Sequence, residues 1–290
     1  MKIIKQIEEM QNYSEKARKK NILIGLVPTM GFFHEGHLSL IRKSVLYCNV
    51  TVVSLFVNPA QFAPGEDLEK YPRDFDRDVE LADNIGTDII FAPDANDIYT
   101  REHDTFVEVK ALSNILCGKS RPTHFRGVTT IVSKLFNIIN PDKVYFGQKD
   151  AQQAIIIHKL IKELNYNIDM NILPIIREED GLAMSSRNKF LSIDERKRSI
   201  CLYSALTDIS KRFDQGERAI EKLIQTGISK INSIIDTKYD KIDYVEIRDA
   251  NDLSIVKETS ESSLLAAIAV YIGKTRLIDN IILNNSRSGV

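Results

Sequence analysis

The sequence predicts an α/β protein: a Rossmann-like parallel sheet with helices on both faces, followed by a smaller C-terminal α+β domain. Three observations carry this. Short continuous apolar runs, ILIGLV at 22–27 and VTVVSLFV at 50–57, are closed by Pro28 and by Asn58-Pro59. Runs of this kind read as strands buried on both faces, the signature of a parallel sheet. Segments with helical apolar periodicity lie between them, so strands and helices alternate as βαβ units. After about residue 180 the texture changes to two charged amphipathic helices and then three consecutive strand-like stretches, the order of an α+β domain.

The elements follow in order. The strand at 22–27 precedes a periodic helix at 37–48, and the strand at 50–57 precedes a helix at 74–84. DIIF at 88–91 is a third strand. VTTIVSKLFNII at 128–139 is an apolar helix that stops at Asn140-Pro141, because the residue before a proline is pushed out of the helical region. KVYF at 143–146 is a fourth strand, 150–165 a helix, and 168–176 a fifth strand. Helices at 194–214 and 217–236 and strands at 241–248, 263–272 and 274–283 complete the chain. The boundary falls near Ile176–Gly181, giving domains 1–176 and 177–290, and no internal repeat is present.

Composition excludes whole classes of function. Lys plus Arg total 39 and Asp plus Glu total 40, a net charge of −1. A chain built to coat nucleic acid or an anionic membrane needs a large basic excess. The three cysteines, Cys48, Cys117 and Cys201, are far apart and odd in number, so they offer neither a zinc spacing nor a disulfide framework. They suit a reducing compartment. The N-terminus lacks the apolar core of a signal peptide. The longest apolar run, Leu264–Ile272, is far short of the ~20 residues that span a bilayer. The expectation is a soluble cytoplasmic protein with no nucleic-acid or membrane partner.

Five stretches carry candidate chemistry. Pro28 to His37 (PTMGFFHEGH) follows the first strand and feeds a helix, the edge where open α/β sheets bind ligands. A helix N-terminus presents unpaired N–H groups and a positive dipole end to phosphate. His34 and His37 are three apart, so they share one face and can both donate to phosphate oxygens. The i, i+3 spacing does not fit a zinc metalloprotease, which needs i, i+4. Neither a G-x-G-x-x-G nor a P-loop sequence is present. After the second strand, Asn58 and Gln61 each offer a donor and an acceptor, suited to hydroxyl and carboxylate groups, although an ordinary Asn-Pro turn reads the same way. Arg121, His124 and Arg126 cluster before the apolar helix, as a phosphate-side patch or a solvated basic turn. After the fourth strand come Gly147, Lys149, Asp150 and Gln153: a point charge for phosphate, an acceptor for ribose hydroxyls that is equally a helix cap, and an amide one turn on. At the domain junction, Ser185, Ser186 and Arg187 form a compact anion clamp, on a loop that could close as a lid.

The pairing of H-x-G-H with M-S-S-R resembles the nucleotidyl-transferring α/β superfamily, which includes class I aminoacyl-tRNA synthetases. The strings PTMGFFHEGHLSL, FVNPAQF, EDLEKYPRDFDRD, RPTHFRGV, PDKVYFGQKDAQQ and REEDGLAMSSRN, in this order, are similar to those of the pantothenate synthetase (pantoate–β-alanine ligase) family. The C-terminal RLIDNI at 276–281 also fits. The chain departs at Phe32-Phe33, where the family commonly has a small residue and Leu, at Cys117, where many members have Glu, and at Ala60, where many have a bulkier residue.

The resemblance implies ATP-dependent condensation of pantoate with β-alanine through a pantoyl-adenylate, releasing pyrophosphate and AMP. ATP is the co-substrate, Mg²⁺ accompanies it, and the protein is a homodimer. His34, His37, Lys149, Ser185, Ser186 and Arg187 are implied as catalytic and ATP-phosphate residues. Met30, Gly147, Asp150, Ile176 and Met184 are implied as further ATP contacts. Gln61, Gln153 and Met30 are implied to hold pantoate. Asn58, Tyr71, Arg121 and His124 fall on the substrate side, and Asp78 is the candidate protein ligand for Mg²⁺. The alternative reading is a nucleotidyltransferase acting on a different small acceptor.

Overall fold

The computed structural model describes residues 1–256 and 263–284. The chain divides into two compact units, one made of Met1–Gln148 with Ile156–Pro174 and the other of Lys149–Ile155 with Ile175–Val290.

The first unit holds a six-stranded, wholly parallel sheet. Its strands are β1 (Lys2–Ile4), β2 (Ile24–Thr29), β3 (Val50–Leu55), β4 (Ile89–Phe91), β5 (Lys143–Gly147) and β6 (Asp169–Leu173). They lie in the order β1-β4-β3-β2-β5-β6. The order reverses between β2 and β5, so that pair marks the topological switch point, outside whose carboxyl ends such sheets bind ligands. Helices α1 (Ile7–Lys19), α2 (Glu35–Tyr47), α3 (Phe75–Ile85), α4 (Ala95–Ile98), α5 (Cys117–Ser120), α6 (His124–Ile139) and α7 (Ala151–Glu163) connect them.

Alternation along the strands shows why both faces are apolar. Val27, Val53, Ile90 and Tyr145 pack against Leu40 and Ile41 of α2 and Ala82 of α3. Their neighbours Leu26, Val52, Ile89 and Val144 point the other way and are equally buried, so the opposite face is covered too. On α6, Asn140 takes the left-handed conformation just before Pro141 and ends the helix, as the sequence predicts.

Several elements depart from the sequence reading, among them the short helices α4 and α5, which it did not include. The sheet has six strands in place of the five expected, because β1 and α1 arise from an N-terminal segment that reads only as mixed charge. The buried stripe of α1 is Met10, Ser14 and Ala17, too small and polar to register as an apolar face. The helix expected over 194–214 is two helices, α8 (Ile193–Ser199) and α9 (Cys201–Asp214). At the break the Ser199 hydroxyl donates to the Arg196 carbonyl and competes with the helical ladder.

In the second unit, α8, α9 and α10 (Ile220–Asn232) accompany an antiparallel sheet of β7 (Lys241–Asp249), β8 (Leu264–Ile272) and β9 (Thr275–Leu283). Leu202, Leu206 and Ile209 of α9 and Leu223 of α10 pack against Ile268, Val270 and Ile272. This matches the small α+β part read from the sequence. No helix among the described residues is long and apolar enough to cross a membrane.

Candidate active site

The turn after β2 carries the two histidines of the candidate site. His34 is the N-cap of α2, and its Nδ1 accepts from the Gly36 amide at 3.1 Å. The His37 Nδ1 accepts from the His34 amide at 3.4 Å. The two rings therefore form a reciprocal capping box, in which each satisfies an N–H at the helix start. The ring centroids are 4.1 Å apart. Because both Nδ1 atoms accept, each neutral ring carries its proton on Nε2. The capping geometry thus does two jobs: it fixes ring orientation and it makes Nε2 a donor, which is what a phosphate ligand requires.

Asp78, on α3, is 1% exposed. Its two carboxylate oxygens accept from the Phe32 amide at 2.6 Å and the Phe33 amide at 2.7 Å. Burial pushes this carboxyl above its usual range, against the opposing pull of the two amides. These contacts give Asp78 a part in holding the turn, at the residue the sequence offers as a candidate protein ligand for Mg²⁺. Among the described residues no group of three or more His, Cys, Asp or Glu side chains could hold a metal ion.

The loop after β3 is joined to the same turn. The Gln61 Nε2 donates to the Met30 sulfur at 3.0 Å, while its Oε1 accepts from Asn58 Nδ2 at 3.1 Å. Asn58 is buried, donates also to the Gly127 carbonyl, and accepts at Oδ1 from the Tyr99 hydroxyl at 2.7 Å. With its oxygen engaged by Asn58, Gln61 turns its amide N–H side toward Met30. Tyr99 is a member of this network that sequence reasoning missed. It stands after a three-residue strand in a run that carries no motif.

Arg121 and His124 were expected on the substrate side, and the structure gives both a bracing role. Arg121 pairs bidentately with Glu66, at 2.8 and 2.6 Å, and its Nη2 lies 3.3 Å from the Gln61 carbonyl. The His124 Nδ1 is 2.9 Å from that same carbonyl. Burial would raise the Glu66 carboxyl, but the Arg121 hydrogen bond and charge outweigh it and hold it below the usual range. Gly127 completes the brace: a Cβ there would lie 2.2 Å from the Ala60 carbonyl oxygen, so only glycine lets α6 approach this loop so closely. Tyr71 is buried and packs edge-on against Phe62, with ring centroids 6.1 Å apart.

β5 ends at Gly147, where an added Cβ would meet no protein atom within 4 Å. Chain space is therefore open at the end of the strand paired with β2 at the switch point. A 3-10 turn, Gln148–Asp150, leads into α7. Asp150 is exposed, whereas Lys149 and Gln153 are half-buried. The Lys149 carbonyl accepts from the buried Asn280 Nδ2 at 3.0 Å.

In the second unit, residues 176–184 form a tight hairpin in which Met184 N–H donates to the Ile176 carbonyl and Glu178 N–H to the Leu182 carbonyl. Arg177 pairs with buried Asp279 at 2.6 and 3.0 Å and stacks over Tyr203 at 4.2 Å. Burial raises the Asp279 carboxyl above its usual range, with Arg177 pulling the other way. Arg196 binds both Glu178 and Asp180. Ser185 caps the following 3-10 helix, Ser186–Phe190, by accepting from the Arg187 amide at 3.3 Å, which leaves the Ser185 hydroxyl proton to donate elsewhere. Ser186 is buried and Arg187 half-buried.

Comparison with known proteins agrees along the whole chain. The family model described as pantoate-beta-alanine ligase matches residues 2–282. Pantothenate synthetase from Caldicellulosiruptor saccharolyticus is 48% identical over 98% of this chain and 99% of its own length. That of Thermotoga neapolitana is 48% identical over 98% of this chain and 100% of its own. The crystal structure of pantothenate synthetase from Thermus thermophilus superimposes with a TM-score of 0.89 at 33% identity, covering 98% of this chain and 100% of that one. The pantoate-beta-alanine ligase of Francisella tularensis, solved in complex with β,γ-ATP and β-alanine, gives a TM-score of 0.79 at 34% identity over 97% of each chain. With its switch-point turn, its two-unit architecture and matched relatives over nearly its full length, this chain belongs to the pantoate–β-alanine ligase family.

Proposed function

We propose that the chain condenses pantoate with β-alanine at the expense of ATP, through a pantoyl-adenylate. In the first step a carboxylate oxygen of pantoate bonds to the α-phosphorus of ATP, and the bond from that phosphorus to pyrophosphate breaks. In the second, the free amine of β-alanine attacks the acyl carbon, the C–N bond forms, and AMP leaves with the bonding electrons. A carboxylate is already nucleophilic at neutral pH, so the first step needs alignment and charge neutralisation more than a general base.

The observation that carries this reading is the histidine capping box at the head of α2. Two Nε2–H donors are held at a helix N-terminus at the switch-point edge of the sheet. His34 and His37 donate to ATP phosphates as charge builds on them. Lys149, Ser185, Ser186 and Arg187 hold the phosphates and the departing pyrophosphate. Gly147 and Asp150 take the ribose, and Ile176 and Met184 contact the nucleotide. Gln61, Gln153 and Met30 hold pantoate, with Asn58 and Tyr71 behind them and Arg121 and His124 bracing Gln61. Mg²⁺ enters on ATP, bound by phosphate oxygens and water, and offsets their charge. Residues 1–176 serve ATP and pantoate, and 177–290 supply the Ser-Ser-Arg clamp. A cytoplasmic homodimer is the state consistent with this family, and light scattering showing a monomer would count against it.

The test is AMP formation with ATP, pantoate and β-alanine, omitting each in turn. Pyrophosphate release that depends on pantoate, and AMP release that depends further on β-alanine, are expected. Nucleotide transfer to a phosphorylated acceptor without any response to pantoate would replace this reading with that of a nucleotidyltransferase for another acceptor.

A further inference from the structure

We propose that Asp78 is a positioning residue for His34 and His37, and that its carboxylate occupies, as a built-in anion, the amide concavity of the turn that precedes them. The proposal rests on the phosphate role given above to the two histidines.

Gly31 and Phe32 are consecutive left-handed residues, at φ +84° and +54°. A backbone in this conformation gathers neighbouring N–H groups into a concavity that attracts anions. At the end of β2 a substrate phosphate would be the obvious occupant. Instead the protein fills the concavity itself, with one Asp78 oxygen on the Phe32 amide at 2.6 Å and the other on the Phe33 amide at 2.7 Å. The carboxylate comes from α3, 46 and 45 residues away along the chain.

Arg77 grips the other side of the turn. Its Nη2 donates to the Phe33 carbonyl at 3.1 Å, and its guanidinium carbon lies 5.4 Å from the centre of the Phe32 ring. The turn needs such a grip, because a non-glycine residue at positive φ is sterically disfavoured. Phe33 leads directly into His34: Asp78 holds the Phe32–Phe33 peptide by its N–H, and Arg77 holds the next peptide, which carries the His34 N–H, by the Phe33 carbonyl. Releasing this pair of peptides would shift the His34 backbone, which carries both the N–H that donates to His37 Nδ1 and the ring whose Nδ1 accepts from Gly36. Both rings would lose the acceptor role that keeps their protons on Nε2.

The test uses the full chain and three variants, Asp78→Asn, Phe32→Gly and the double variant. Asparagine keeps the shape but puts an NH₂ where an oxygen faced a backbone N–H. The ¹⁵N shifts of the His34 and His37 rings should leave the Nε2–H tautomer in Asp78→Asn. The kcat for pantoate-dependent pyrophosphate release should fall roughly 10- to 100-fold, with the KM for ATP changed less than about threefold, as for lost alignment. Adding Phe32→Gly should restore the ring signature and at least about fivefold of the rate, since glycine adopts the turn unaided. A folded Asp78→Asn with unchanged ring spectra, or with kcat within about twofold of the parent, would overturn the proposal, as would absence of rescue by glycine. If Asp78→Asn alone does not fold, the double variant is read in its place: parent-like ring spectra support the proposal and disturbed ones overturn it. The ring spectra need no substrate, so they separate failure of this proposal from failure of the pantoate assignment.

Discussion

The turn at Gly31–His37 and the hairpin at 176–184, which leads into Ser185–Arg187, are held with different charge logic. In the turn at Gly31–His37 a single buried carboxylate, Asp78, binds backbone amides, and two neutral imidazoles cap the helix. In the hairpin at 176–184 arginines bind carboxylates: Arg177 holds Asp279, and Arg196 holds Glu178 and Asp180. The first arrangement concentrates the load on two neighbouring side chains of α3, Asp78 and Arg77. The second spreads it over several pairs of very different burial. The Asp279 side chain is 2% exposed, whereas that of Asp180 is 42% exposed. Two ion pairs of similar length in one hairpin should therefore differ severalfold in what they contribute.

The largest effect that would break this comparison is expected at Arg177. Arg177→Met removes the partner of a carboxylate that stays buried, and losing one member of such a pair costs about 3–5 kcal/mol. The upper end is reached only if Asp279 remains ionised, and burial already favours its neutral form. Urea unfolding of the variant should show the loss at neutral pH, and Arg177→Met/Asp279→Leu should recover most of it. A loss under about 1 kcal/mol for the single variant would mean that the hairpin does not depend on this pair.

Lys149, in the turn after β5, comes next, and it tests the proposed phosphate chemistry where Arg177 tests stability. Its backbone is tied through Asn280, so truncating the side chain leaves the turn in place. Lys149→Ala should lower pantoate-dependent pyrophosphate release by about 10²–10³-fold, the usual cost of one preorganised donor to a charged transition state, with thermal unfolding unchanged. His37→Ala should lose a similar factor and, in addition, some stability, because it removes half of the capping box. A near-parental rate in Lys149→Ala would leave the histidine turn as the main source of phosphate stabilisation.

The same contrast explains what was legible in the sequence. β2, β3 and α6 announce themselves, because a strand buried on both faces must be continuously apolar and Asn140-Pro141 must end a helix. The i, i+3 spacing of His34 and His37 correctly implies one shared face. What it does not reveal is that the rings cap each other, since that depends on backbone angles at Phe32 that no side-chain pattern encodes. Asp78 sits among other acidic residues in PRDFDRD, so nothing local separates it from a surface charge or a metal ligand, and its partners lie 45 residues or more away. Arg121 and His124 depend on distant partners in the same way: neither Glu66 nor the Gln61 carbonyl beside them can be read from the basic cluster. β1 was missed because three residues at a sheet edge, in a charged segment, carry too little periodicity to register.

The smallest effect sharpens the comparison through its sign. The hydrogen bond from Arg196 holds the Asp180 carboxyl below the ordinary carboxylate range of about 4, against a lesser upward push from burial. A carboxyl whose pKa is depressed on folding binds fewer protons in the folded state than in the unfolded one. Its contribution is thus complete above the unfolded value, near pH 4, and is lost as pH falls through the folded value. Because both side chains are substantially exposed, solvent screens the pair, and Arg196→Ala should cost no more than about 1 kcal/mol at pH 7. Stability measured between pH 7 and 3 should show the parent and the variant converging at the acid end, where Asp180 is protonated in both. A gap that persists or widens below pH 4 would mean that Arg196 acts through packing, and not through the charge of its carboxylate partners.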